Sequence, residues 1–295
     1  MRVHIVPTYR CNQDCSYCYT RPFRDRFPTD LAFPQYLEVI GYLVEHGLTS
    51  VSFLGGEPTL WPHLSEAQAF AREKGLGCLL YTNARRVAGV PDSVTVNVSD
   101  WMSGDINKNM VRHLSWYRDK GASLCLRVNL AATDDTENWR NIIVMAVILG
   151  AQVSIAALGI RPGDTAAGAR VVRCCKIGLE HGLEVHVSRP LPRCVLTSAQ
   201  LELLEQHCSL RQTCDQNTVI PVVNPDGKTV FPCNSLAIDL PLAYVFESRE
   251  KHLSWPQVCE AARMDFPHIC RTCAWLRSES CQPGCLGTGQ KGLDE

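Results

Sequence analysis

The chain has 295 residues and a formal net charge of -1, and 45% of its residues are hydrophobic. This length suits one large domain with an appendage, or two domains, and the composition is that of a globular protein. The near-zero charge gives no electrostatic argument for nucleic-acid binding. No apolar stretch predicts a membrane span or a signal peptide. We therefore expect a cytoplasmic protein whose 16 cysteines serve mainly as metal ligands or buried side chains.

Three closely spaced cysteines follow a short apolar run, residues 3–6, that predicts a first strand. Cys11, Cys15 and Cys18 form the pattern CxxxCxxC, and Tyr17 directly precedes the last of them. Three thiolates in one turn can bind a cubane iron-sulfur cluster and leave its fourth iron without a protein ligand. A zinc site or a redox pair is the alternative that the spacing alone leaves open.

The next predicted elements are a helix and a strand that ends in a glycine pair. Thr29 and Asp30 precede an apolar pattern of helical period that stops at Gly47, which predicts a capped amphipathic helix. Residues 50–54 predict a strand that runs into Gly55-Gly56-Glu57-Pro58, where two glycines allow the backbone to approach a ligand closely. Taken alone, this segment could also be an ordinary Gly-Gly turn before a helix that starts with proline.

Together, the CxxxCxxC motif and the Gly-Gly-Glu-Pro segment resemble the signature of the radical S-adenosylmethionine (SAM) superfamily. The resemblance implies that the amino and carboxylate groups of SAM bind the open iron. An electron from the cluster then cleaves SAM to methionine and a 5'-deoxyadenosyl radical, which removes a hydrogen atom from the substrate. It also implies that residues 55–58 contact the amino group of SAM and that Tyr17 lies beside the cofactor.

Strand and helix patterns then alternate along the chain. Further strands are predicted at residues 77–81, 94–98, 123–130, 152–158 and 183–187, and helices at 63–74, 106–120, 136–149 and 166–181. With the first two strands, this makes seven strands that are mostly separated by helices. The pattern predicts an α/β fold, a partial (β/α)6-type TIM-like barrel over residues 1–190.

In such barrels the functional groups lie at the carboxyl ends of the strands. The resemblance implies that polar residues there hold the ribose and the carboxylate of SAM, although residues 97–100 depart from the usual Ser-x-Asp-Gly pattern. Asn83 and Asp100 could instead cap the following turns, and Arg161 could be a solvated charge. The predicted cofactor contacts are Asn83, Asn97, Ser99, Asp100 and Asn129, and the candidate catalytic residues are Asp100, Asp105 and Arg161.

The composition changes after the proline-rich linker Arg189-Pro190-Leu191-Pro192-Arg193. Residues 191–295 contain nine of the 16 cysteines and form the predicted second domain. A hairpin is predicted by residues 219–223, an Asn-Pro-Asp-Gly turn and residues 228–231. This cysteine density is typical of a small domain that metal sites hold together.

The arrangement resembles the SPASM extension of peptide-modifying radical SAM enzymes, which carries two auxiliary 4Fe-4S clusters, and its shorter relative, the twitch extension, which carries one. The resemblance implies an inner cluster and an outer cluster, with ligands from Cys208, Cys214, Cys233 and Cys285 and from Cys270, Cys273 and Cys281 respectively. Cys194 could supply an eighth ligand. The terminal spacing departs from the usual pattern, and a single auxiliary cluster or a zinc knuckle stays an alternative.

The resemblance implies oxidative modification or cross-linking of a side chain in a ribosomally made peptide, with a flavodoxin or ferredoxin-type electron donor. Only ten residues precede Cys11, so we expect leader recognition to come from a separate protein or to be absent. Asn234 stands where sulfatase-maturing relatives have an acidic base, which disfavours that reaction. Two alternatives remain: radical oxidation or rearrangement of a small metabolite such as an amino sugar or amino acid, and a non-catalytic metal-binding scaffold. The scaffold leaves Gly-Gly-Glu-Pro unexplained.

Overall fold

The structure is a computed structural model that describes residues 1–102, 104, 106–130, 138–158, 160, 162–210, 220–233, 237–243 and 245. Several residues singled out by the sequence lie outside this described part: Asp105, Arg161, Cys214, Cys270, Cys273, Cys281 and Cys285.

The chain divides into two compact units. The first comprises residues 1–96, 112–123 and 216–258, and the second comprises residues 97–111, 124–215 and 259–295. The hairpin predicted around residues 219–231 therefore belongs to the first unit, whereas residues 191–210, from the same predicted domain, belong to the second. The domain division at residue 190 stays a prediction.

The first unit is built on parallel strands that are connected by helices. Its strands are β1 (Arg2–Ile5), β2 (Ser50–Phe53), β3 (Gly77–Thr82) and β4 (Ser93–Asn97), and its helices are α1 (Phe33–Glu45) and α2 (Leu64–Glu73). Strand β1 pairs in parallel with β2, β2 with β3, and β3 with β4. In β3 and β4 buried residues alternate with half-buried ones, so one face of these strands packs into the core.

Helix α1 forms as predicted, but Thr29 and Asp30 do not cap it. The N-cap is Ala32, with no side-chain cap, and a proline lies in the first turn. Asp30 instead accepts a hydrogen bond from Arg10 Nε at 3.0 Å. Asp30 thus anchors Arg10, which directly precedes the first cysteine of the motif. The start of α1 is instead favoured by Pro34, because the φ angle of proline suits the first turn of a helix.

The predicted hairpin is confirmed and adds to the edge of β1. Strand β9 (Val222–Val223) pairs in parallel with β1 and antiparallel with β10 (Thr229–Phe231), which pairs with β11 (Leu240–Pro241). Asp226 holds the turn because its Oδ1 accepts hydrogen bonds from the backbone N–H groups of Lys228 and Thr229 at 3.0 and 2.9 Å.

The second unit continues the alternation. Its strands are β5 (Ser123–Leu130), β6 (Gln152–Ala157), β7 (Val185–Val187) and β8 (Ser209–Leu210), each pairing in parallel with the next. Its helices are α4 (Trp139–Leu149), α5 (Thr165–Glu180) and α6 (Ser198–His207), while α3 (Lys108–Asp119) has residues in both units. The sequence patterns did not predict α6, although a capping box of Thr197 and Gln200 marks its start.

Parallel pairing predominates in both units, so the fold class is α/β, as predicted for a partial TIM-like barrel. Among the described residues, no helix combines the length and the apolar character that a membrane crossing requires.

Candidate active site

The three cysteines of the CxxxCxxC motif lie in one turn after β1. The side chains of Cys11, Cys15 and Cys18 are partly exposed. The backbone N–H of Cys18 donates to the carbonyl of Cys15 at 3.1 Å, and Arg21 Nη2 donates to the same carbonyl at 3.2 Å. Partial burial raises the pKa of Cys11, against the opposing effect of the Gln13 backbone N–H. The turn is thus held by a backbone hydrogen bond and by the Arg21 side chain, while the thiols stay partly exposed.

These thiols fit an iron-sulfur cluster by their chemistry. Among the described residues, no three His, Cys, Asp or Glu side chains form a group that could hold a single metal ion. A cubane cluster is larger than one ion, because each thiolate binds a different iron, and soft thiolates are its usual ligands. Three partly exposed cysteines in one turn match that ligand set.

The Gly-Gly-Glu-Pro segment lies directly against the start of the cysteine loop. The backbone N–H of Gly56 donates to the Thr8 carbonyl at 3.0 Å, and that of Glu57 donates to the Arg10 carbonyl at 2.8 Å. A Cβ on Gly56 would lie 2.1 Å from the Arg10 carbonyl oxygen, and Gly55 has a φ of +129°. Both positions therefore require glycine for contacts within the chain itself. Contact of this segment with SAM stays a prediction.

The Glu57 carboxylate is turned inward and is 1% exposed. Its Oε1 accepts hydrogen bonds from the Thr59 backbone N–H at 3.1 Å, the Thr59 hydroxyl at 2.7 Å and the Thr82 hydroxyl at 2.8 Å. Its Oε2 accepts from the Asn83 backbone N–H at 2.8 Å. Burial raises the pKa of Glu57, and these hydrogen bonds oppose the rise. Glu57 thus joins the end of β2 to the end of β3.

Asn83 continues this network into the cysteine loop. Its Nδ2 donates to Asn12 Oδ1 at 2.7 Å, and its Oδ1 accepts from the Arg85 backbone N–H at 3.0 Å. Asn83 therefore does cap the turn after β3, as the alternative proposed, and it also contacts the residue after Cys11. The cysteine loop, the Gly-Gly-Glu-Pro segment and the end of β3 form one hydrogen-bonded assembly, which we call the loop network.

The second unit contains another group of predicted cofactor contacts. Asn97 Oδ1 accepts from the Ser99 backbone N–H at 3.1 Å, and Ser99 Oγ accepts from the Asn129 backbone N–H at 2.8 Å. Asp100 is exposed and belongs to a short 3-10 helix, Ser99–Met102. The structure thus brings Asn97, Ser99 and Asn129 together. Roles for these residues and for the half-buried Tyr17 in binding SAM stay predictions.

Three of the predicted auxiliary-cluster ligands lie in the described residues. Cys194 and Cys233 are partly exposed, and Cys194 Sγ accepts a hydrogen bond from the Gly163 backbone N–H at 3.1 Å. Cys208 is buried, and a hydrogen bond from Cys175 in α5 lowers its pKa. The auxiliary ligand set stays a prediction.

Sequence reasoning missed four polar residues around the cysteine loop: Asn12, Thr20, Thr59 and Thr82. Asn12 lies inside the CxxxCxxC motif and Thr82 precedes Asn83, so their positions next to predicted site residues were available signals. Thr20 is 1% exposed, and its Oγ1 lies 3.0 Å from Cys18 Sγ. Its partner could not be read from spacing, because rotamer choice decides which neighbour a hydroxyl reaches.

Comparison with protein families identifies the part of the chain that holds this loop network. Residues 5–100 match the Radical SAM superfamily. These residues, about a third of the chain, are therefore similar to a radical SAM domain. Members of this superfamily are enzymes. The match includes the three cysteines, the Gly-Gly-Glu-Pro segment and Asn83, which are the residues that the structure joins.

Two curated relatives show the range of proteins that are similar to part of this chain. The Fe-coproporphyrin III synthase of Methanosarcina barkeri is 37% identical over 76 residues, which are 26% of this chain and 19% of that protein. The PqqA peptide cyclase of Bradyrhizobium diazoefficiens is 29% identical over 117 residues, which are 38% of this chain and 30% of that protein. The matched region thus spans less than a third of the length of each relative.

A solved structure extends the likeness of fold beyond residues 5–100. Streptococcus suis SuiB bound to the precursor peptide SuiA superimposes with a TM-score of 0.62 at 12% identity, over 94% of this chain and 70% of SuiB. At this identity the likeness shows the fold alone.

Proposed function

We propose that the chain reductively cleaves SAM and uses the resulting 5'-deoxyadenosyl radical to remove a hydrogen atom from a substrate. The observation that carries this proposal is the loop network, in which hydrogen bonds join the CxxxCxxC loop to the Gly-Gly-Glu-Pro segment and Asn83. These are the parts of the chain that the resemblance assigns to the cluster and to SAM.

Each part of the loop network has a distinct task in this proposal. Cys11, Cys15 and Cys18 hold a 4Fe-4S cluster, which supplies the electron that cleaves SAM when both are bound. Residues 55–58 present their backbone to the amino group of SAM. Glu57 fixes the position of this backbone, because both oxygens of its buried carboxylate accept hydrogen bonds from the protein.

The substrate that we propose is a side chain of a ribosomally made peptide, which is oxidised or cross-linked. The PqqA peptide cyclase is 29% identical to 117 residues of this chain, and SuiB, solved with a precursor peptide, shares the fold. The predicted SPASM-type cysteines agree with this class, as auxiliary clusters can accept the electron left after hydrogen abstraction. A small metabolite is the second candidate, because the Fe-coproporphyrin III synthase is 37% identical over its matched part.

The test is anaerobic reconstitution with iron and sulfide, addition of SAM and dithionite, and detection of 5'-deoxyadenosine by liquid chromatography and mass spectrometry. We expect 5'-deoxyadenosine from the unaltered chain and at least a hundredfold less from Cys15→Ala, since the cluster loses a ligand. Cys78→Ala is the matched control, because Cys78 is buried in β3 away from the motif. Equal turnover in Cys15→Ala and the unaltered chain would refute the proposal.

The same assay separates the two substrate classes. A short precursor peptide encoded beside this chain should increase 5'-deoxyadenosine formation and change in mass, for example by loss of two hydrogen atoms. Stimulation by amino sugars or amino acids, with the peptide mass unchanged, would favour the second candidate.

A further inference from the structure

The sulfur of Cys18 contacts a buried hydroxyl group. Thr20 Oγ1 lies 3.0 Å from Cys18 Sγ, which is hydrogen-bond distance for an oxygen and a sulfur. Thr20 is 1% exposed, so bulk water does not compete for this hydroxyl. A hydrogen bond in such a site is electrostatically stronger than one in water.

The position of Thr20 in the chain makes this contact informative. Thr20 is the N-cap of the 3-10 helix Arg21–Phe23, where a threonine hydroxyl usually accepts a hydrogen bond from a backbone N–H of the first turn. Here there is no side-chain cap, and Thr20 has helical dihedral angles, φ -86° and ψ -10°. The Phe23 N–H donates instead to the Thr20 backbone carbonyl at 3.0 Å. The hydroxyl is thus turned away from the usual capping role and toward the sulfur.

The chemistry of a bound thiolate fixes the direction of this hydrogen bond. A cysteine that binds iron has lost its proton, so its sulfur can only accept, and the Thr20 hydroxyl must donate. A donor stabilises negative charge on the sulfur, and that charge increases when the cluster takes up an electron. Hydrogen bonds to the sulfurs are among the factors that set the reduction potential of an iron-sulfur cluster.

We propose that Thr20 donates a hydrogen bond to the Cys18 thiolate and thereby raises the reduction potential of the cluster in the radical SAM domain. Thr20 is a positioning residue in this proposal, since it acts on the cluster through the Cys18 ligand. This inference rests on the proposed function, because it requires the cluster at Cys11, Cys15 and Cys18.

The test compares Thr20→Val, which keeps the shape but removes the hydroxyl, with Thr20→Ser, which keeps the hydroxyl. The full-length chain is reconstituted, titrated with dithionite under potentiometric control and followed by electron paramagnetic resonance. The signal that changes on addition of SAM identifies the relevant cluster. Thr49→Val is the matched control, because Thr49 is an exposed residue whose hydroxyl donates to the Met1 carbonyl.

We expect the ratio of reduced to oxidised cluster at a fixed potential to fall about tenfold in Thr20→Val. For a one-electron couple this corresponds to a midpoint potential that is lower by about 59 mV. Thr20→Ser and Thr49→Val should stay close to the unaltered chain. Equal potentials for Thr20→Val and the unaltered chain, at equal iron content, would overturn the inference. Loss of iron in both Thr20→Val and Thr20→Ala would also overturn it, because the hydroxyl would then be needed to build the loop. An unaltered chain without any SAM-responsive signal would instead refute the proposed function.

Discussion

Among single residues, Glu57 departs most from what its motif alone implies. A carboxylate in a cofactor-binding segment is expected to face the ligand, yet this one is buried and accepts four hydrogen bonds from the protein. All four contacts come from donors, so the ionised form fits them, while burial raises the pKa of the group. A buried carboxylate is tolerated when its hydrogen bonds are satisfied in this way. Glu57 therefore orders the backbone of the Gly-Gly-Glu-Pro segment, which we propose to bind SAM.

Glu57→Gln is predicted to destabilise the protein before any cofactor binds. If the amide oxygen keeps the three contacts of Oε1, the new NH2 group faces the Asn83 backbone N–H, and two donors meet in a buried site. An unsatisfied buried donor costs about 1–3 kcal/mol. The measurement is the free energy of unfolding of the cluster-free chain in urea.

The control for this variant is Glu66→Gln. Glu66 lies on α2, is exposed and contacts only His63 among the ion pairs of the described residues. Its replacement should change the free energy of unfolding by less than about 0.5 kcal/mol. Equal stability of Glu57→Gln and Glu66→Gln would show that the buried network is not needed for folding.

At the scale of elements, the hairpin β9–β10 supports the cysteine loop from the side of β1. Tyr9, which precedes the cysteines, packs against Phe23 and Phe27 at centroid distances of 5.5 and 5.6 Å. Phe231 of β10 packs against Phe23 at 5.1 Å. The Tyr9 hydroxyl donates to Asn224 Oδ1 at 2.6 Å in a buried site. The hairpin thus holds both ends of the cysteine loop in place.

Tyr9→Phe is predicted to weaken the attachment of the hairpin. The change leaves Asn224 Oδ1 without this donor in a buried site, which should cost about 1–3 kcal/mol of unfolding free energy. A double-mutant cycle with Asn224→Ala isolates the pair, because the loss from Tyr9→Phe should shrink when its partner is already absent. Additive losses in urea unfolding would mean that the two side chains do not stabilise each other.

Local patterns predicted elements well and their partners poorly. Strands β1–β7 and the hairpin lie within a few residues of their expected places, because each has an apolar face that the alternation reveals. Helix α6 was missed because its one buried residue, Leu204, creates almost no apolar periodicity. The parallel pairing of β9 with β1 joins residues far apart in the sequence, and no local pattern encodes such a partner. For the same reason, the sequence did not predict that Asn83 forms a hydrogen bond with Asn12.

At the scale of the whole molecule, the predicted iron sites fall in different parts of the chain. Cys11, Cys15 and Cys18 belong to the first unit, and Cys194 and Cys208 belong to the second. Cys233, another predicted auxiliary ligand, is in the first unit, directly after the hairpin that pairs with β1. The loop network is built from residues of the first unit alone, so its cluster should assemble whether or not the auxiliary sites are filled.

This independence can be measured by iron content. The unaltered reconstituted chain should hold about 12 iron atoms with two auxiliary clusters, or about 8 with one. The triple change of Cys11, Cys15 and Cys18 to alanine should remove about 4 of them and leave the rest, because none of the three is a predicted auxiliary ligand. Cys78→Ala, at a cysteine buried in β3, should lose none. Complete loss of iron in the triple variant, with the urea midpoint unchanged, would mean that the auxiliary sites form only after the first cluster does.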